Sequence, residues 1–178
     1  MKAHLNPGGY FTLYVPLYES DEATVKSEFA TFFAVFPHGT VWANLANGQG
    51  YDLVLMGQAE PLKIDIDAAE QRLHTPAFGK VQQSMQEIGF PTATAMYATY
   101  LGDEPSMRVW LGGAQINTDR NLRLMYLAGW GINSDMADAL YRKILAMRKP
   151  PTSIFSGSPE GRTALTRQMA MPQAQEEN

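Results

Sequence analysis

Apolar and polar positions change their period twice along this chain. From Tyr10 to Val15 almost every residue is apolar or aromatic, between an Asn6-Pro7-Gly8-Gly9 turn and Pro16. So little alternation predicts a strand buried on both faces, as in the middle of a parallel sheet. Ser20 then reads as a helix N-cap, with Asp21 and Glu22 in the first turn. Val25, Phe29, Phe32 and Phe36 recur at helical spacing until Pro37-His38-Gly39 stops the helix. A second strand is predicted over 40–45. Asn47-Gly48, inside a loop over 46–50, signals a hairpin into an antiparallel strand over 51–57. Strand, helix, strand makes a βαβ unit, whose crossover should be right-handed.

After Pro61 short helical patterns replace strands. Thr75-Pro76 opens one helix, with Val81, Met85 and Ile88 as its stripe and Gly89 as its stop. Further helices are expected over 92–101, 105–111, 122–127 and 135–147, the last capped by Ser134. Pro150 to Pro159 reads as a linker, Ser158-Pro159-Glu160 caps a final short helix, and the polar segment from Pro172 is expected to be disordered. The predicted organisation is therefore a sheet half-domain over 1–60, a helical extension over 61–149, and a linker, short helix and tail over 150–178. The fold class is α/β. The order resembles the end of a class I methyltransferase-type (Rossmann-like) sheet, with its terminal antiparallel hairpin.

Composition narrows the chemistry. A net charge of −4 gives no electrostatic reason to bind nucleic acid or an anionic membrane. The absence of cysteine excludes disulfides, thiolate catalysis and Cys-ligated metals. His4, His38 and His74 are scattered, so no metal site is expected. No apolar run approaches the roughly 18 residues of a membrane span. No apolar leader opens the chain, and a cytoplasmic location is expected, tethered to a membrane only through a longer parent. Phosphate-loop signatures are missing, because Gly8-Gly9 precedes a strand and shapes a turn.

Two polar groups stand out. Tyr14, Tyr18 and Glu19 fall at the carboxyl end of the first strand, where open α/β sheets bind ligands. Aromatic faces and a carboxylate suit a cationic amine. The same residues have a structural account: Tyr14 in the core, Tyr18 packed on the next helix, Glu19 favouring that helix's N-terminus. The second group is Asn117-Thr118-Asp119-Arg120. Asn or Thr there would cap the following helix with Asp119 in its first turn, or Asp119 would line a pocket rim.

Several motifs in order resemble the spermidine synthase family: Pro7-Gly8-Gly9-Tyr10-Phe11-Thr12, Val15-Pro16-Leu17-Tyr18-Glu19, Phe29-Ala30-Thr31-Phe32 to Val35-Phe36-Pro37, Tyr51-Asp52-Leu53-Val54-Leu55-Met56-Gly57 and Glu60-Pro61-Leu62. Asn117-Thr118-Asp119-Arg120 followed by Leu124 and Tyr126 is similar to a pattern of its bacterial branch, often fused to a transporter-like membrane segment. That branch usually carries Gln-Trp where this chain has Leu13-Tyr14. The resemblance spans about residues 1–130. It implies aminopropyl transfer from decarboxylated S-adenosylmethionine to putrescine, without a metal. It also implies that the nucleoside loop, ribose-binding acid and catalytic aspartate belong upstream of the Pro-Gly-Gly turn. The chain is then expected to be a C-terminal portion, inactive alone and holding no cofactor, with candidate amine-binding residues Tyr14, Tyr18, Glu19 and Asp119 and no catalytic residue of its own. The full-length parent would take the polyamine, and the isolated sheet half is expected to self-associate. The alternatives are a non-catalytic helical interaction module and the tail of an S-adenosylmethionine-dependent methyltransferase.

Overall fold

The computed structural model describes residues 2–46, 49–131, 136–151 and 153–171, with the side chains of 45–46, 49–51 and 130–131 left aside. The chain packs as two units. One comprises Met1–Pro61 and Leu101–Lys149, the other Leu62–Tyr100 and the segment that begins at Pro150. The segment 61–149, expected to be one helical extension, is thus distributed over both.

The first unit opens with β1 (Phe11–Pro16), α1 (Glu22–Val35), β2 (Thr40–Ala46) and β3 (Gln49–Gly57). The hairpin turn at Asn47-Gly48 lies outside the described residues. β3 pairs antiparallel with both β1 and β2, so it lies between two strands that run the same way. The β2–β3 register shifts between Asn44 and Leu45.

The expectation of a strand buried on both faces is corrected. β1 is at the sheet edge, and its residues alternate: Val15 is buried, whereas Thr12 and Tyr14 are exposed. The reason is the pleat, which turns successive side chains to opposite faces. One face carries Val15, Leu53, Leu55, Val41 and Ala43 into the core with the phenylalanines of α1. On the other, a tyrosine ring with a polar tip tolerates water.

The helical stripe holds as expected, with Val25, Phe29, Phe32 and Phe36 all buried. Phe36 stacks on Phe11 at 5.7 Å between ring centroids. Gly57 permits this approach, since a Cβ there would lie 2.5 Å from Phe36 Cγ. The N-cap of α1 is Asp21, not Ser20: its Oδ1 accepts from the Thr24 amide and hydroxyl, both at 2.7 Å. A carboxylate reaches both donors at once, and a serine one residue earlier does not.

The second unit contains β4 (Ile64–Asp65), α2 (Ile66–Leu73), α3 (Gly79–Glu87) and α4 (Ala93–Tyr97). The Val81–Met85–Ile88 stripe exists but is not buried, with Ile88 70% exposed. The helix expected over 92–101 stops at Tyr97, and Tyr100–Asp103 forms β5 beside β2. There Leu101 joins the core of the first unit, a burial that a continued helix would not make.

In the first unit β5 is followed by α5 (Glu104–Leu111), α6 (Arg123–Gly131) and α7 (Ala137–Ala146). Ser134, the expected cap of the last, lies outside the described residues. The segment read as a linker instead contributes buried Ile154 and Phe155, and Phe155–Ser156 forms β6, parallel to β4. Ser158 then caps α8 (Pro159–Ala170) by accepting from the Gly161 amide at 3.0 Å. Residues from Pro172 on lie outside the described ones.

Candidate functional site

The carboxyl ends of β1 and β2 lie side by side with β3 starting between them, because Asp52 sits opposite Pro16 on one side and Asn44 on the other. Tyr14 is on the same face, two residues before Pro16. The Tyr14 and Tyr18 hydroxyls are 3.1 Å apart, with Tyr18 in the turn that leaves β1. Lost hydration, the hydrogen bonds to Tyr18 and to the Asp52 carboxylate, and the charge of that carboxylate push the Tyr14 hydroxyl above the usual tyrosine range. It stays neutral at physiological pH and can both donate and accept.

Asp52 was not among the residues the sequence singled out. It is 3% exposed, and its Oδ1 has no hydrogen-bond partner among the described residues. A buried carboxylate oxygen left unpaired costs on the order of 1–3 kcal/mol. The signal was present: one acid opens the otherwise apolar run Asp52-Leu53-Val54-Leu55-Met56. The hairpin register brings that acid to the end of β1.

Glu19 is exposed, with φ 53° in the left-handed region. Non-glycine residues rarely adopt that conformation. It lies two residues before the Asp21 cap and outside the first turn of α1, so it does not serve that helix as a first-turn acid. Asp119 is placed on a different segment, exposed in the turn ahead of α6. It is not in the first turn of α6. The capping there falls to neighbours: Asn117 Oδ1 accepts from the Leu124 amide at 2.9 Å and Asn121 Oδ1 from the Arg123 amide at 3.2 Å. Asn117 is itself anchored to α1, its amide donating to Thr31 Oγ1 at 2.8 Å.

No family model, curated protein or solved structure matches this chain. Two phenol hydroxyls and a shielded carboxylate at one strand end offer hydrogen-bond acceptors and aromatic faces. Among the described residues no three His, Cys, Asp or Glu side chains cluster to hold a metal. Among them, too, no helix is long and apolar enough to cross a membrane.

Proposed function

We propose that this chain is the C-terminal portion of a spermidine synthase-like protein and forms the acceptor-amine side of its site. The observation that carries the reading is the unpartnered Asp52 oxygen beside the Tyr14–Tyr18 hydroxyl pair, at the carboxyl end of a strand. An ammonium group would supply the missing donor to Asp52 and lie against aromatic faces. The first three strands support the same reading: a reversed strand follows the parallel ones in a class I methyltransferase-type sheet, and β3 is reversed against β1 and β2, with β5 added later beside β2. Decarboxylated S-adenosylmethionine would be held by parts of the parent other than these residues. Attack requires one amine to be neutral, so Tyr14, Tyr18, Glu19 and Asp52 bind and orient the amine rather than activate it.

Titration of the chain with putrescine, followed by amide chemical shifts, tests this. Saturable shifts should centre on Tyr14, Tyr18 and Asp52, and Asp52→Asn should weaken binding roughly ten- to a hundredfold. Shifts that never saturate, or that ignore Asp52→Asn, would remove the amine reading. One observation favours the interaction-module alternative: Val81 on α3 and Ile88, its C-cap, are exposed at 48% and 70%. A blank putrescine titration together with a partner whose binding is lost in Ile88→Asp would decide for it.

A further inference from the structure

A polar cavity lies in the first unit, and neither Tyr14 nor Asp52 is among its walls. Its volume is about 360 Å³, and its walls come from α1 (Glu22, Lys26, Ser27), from the loop after α5 (Gln115) and from Arg123 at the start of α6. Glu22 is already engaged: it accepts from Lys143 Nζ at 2.7 Å and from Trp110 Nε1 at 2.7 Å. Ser27 is engaged too, its hydroxyl donating to the Gln115 carbonyl at 2.6 Å. The first amides of α6 are taken by Asn117 and Asn121. What remains for a ligand is cationic. Arg123 Nε is shielded from solvent and has no hydrogen-bond partner among the described residues. Lys26 contributes a second positive charge, in a chain whose net charge is −4.

We propose that this cavity binds a small oxyanion, a carboxylate or phosphate group, between Lys26 and Arg123. Arg123 lines the cavity while its covered Nε–H lacks an acceptor, so an anion that enters against the guanidinium would supply one and pair with it through two oxygens, and Lys26 adds a point charge. With Glu22 neutralised by Lys143, no free carboxylate in the wall opposes the anion. The cavity is of metabolite size. Its preference for anions separates it from the amine-binding reading at Tyr14 and Asp52, and the two succeed or fail independently.

The test is a titration of the whole chain with inorganic phosphate and, separately, with succinate at constant ionic strength, read by amide shifts and the Arg123 Nε–H signal. Saturable shifts at Lys26, Gln115 and Arg123 are expected, without movement at Tyr14 or Asp52. Arg123→Gln and Lys26→Gln should each weaken binding roughly tenfold or more. Lys26 is only half-buried, so its variant keeps the test sound if Arg123→Gln fails to fold. The tighter of the two anions identifies the oxyanion source. Linear shifts with both anions, or saturable binding unchanged by Lys26→Gln, would overturn the proposal.

Discussion

Three carboxylates carry the residue-scale predictions. Glu28 on α1 has a buried Oε2 without a partner among the described residues, and burial raises its carboxyl to about 7 from an ordinary 4.5. The folded state thus keeps a proton that the unfolded chain has lost. The group's contribution to stability is full below the unfolded value and falls as pH rises toward 7, by on the order of 3 kcal/mol at most. Glu28→Gln should flatten that fall, so its stabilising effect in urea melts should be larger at pH 8 than at pH 4. Glu22 has the opposite sign: the Lys143 hydrogen bond, then that of Trp110, lowers its carboxyl. Its contribution is present above the unfolded value and is lost on acidification, so Glu22→Gln should remove part of the acid-side decline. At Glu19 the left-handed backbone favours glycine. Glu19→Gly should leave stability unchanged or raise it by up to about 1 kcal/mol. If the proposed function holds, then in a protein that joins this chain to the upstream half the proposal requires, Glu19→Gln should raise the amine KM more than it lowers kcat. A stability change alone would deny Glu19 a place in the amine site.

At the scale of elements, the second unit is held by caps reaching across sequence. The α2 carboxylates serve other helices: Asp67 accepts from the Ser158 amide and hydroxyl at the start of α8, and Glu70 from the Ala93 and Thr94 amides at the start of α4. Removing such a cap costs on the order of 1–2 kcal/mol. Asp67→Ala should therefore speed amide exchange in α8 before α2 itself loosens. In the first unit, Gly57→Ala should cost roughly 1–3 kcal/mol in chemical denaturation, because a methyl group has no room beside Phe36. The existence of most of these elements was legible, since the phenylalanine stripe, the Gly89 stop and the Ser158 cap are local signals. The short strand at Tyr100–Asp103 was not: a sequence of Ala, Met, Tyr and Leu supports a helix, and only the free side of β2 draws Leu101 into a strand. Asp52 escaped notice for a related reason, since one acid at a strand end means little until the register shows what it faces.

For the whole molecule, the decisive feature is the edge position of β1, which among the described residues pairs on one side only. An apolar edge strand invites another chain. The protein is expected to self-associate in sedimentation velocity runs, and Thr12→Lys, on the exposed face of that strand, should reduce the association. A monomer at high concentration would contradict this. Titration calorimetry with S-adenosylmethionine and its decarboxylated form should show no heat, and micromolar binding would contradict the proposal that the nucleoside is held outside this chain. The sequence by itself determined what local chemistry specifies: where the first strand and its helix run, that the third strand turns back, and which face of α1 is apolar. Side-chain periodicity and turn residues act over a few positions, and those signals are strong here. Only tertiary structure decided that β3 lies between β1 and β2, that the first strand is an edge, and that Asp52 rather than Asp119 stands near Tyr14. Those outcomes depend on pairing between segments tens of residues apart, which no local pattern encodes.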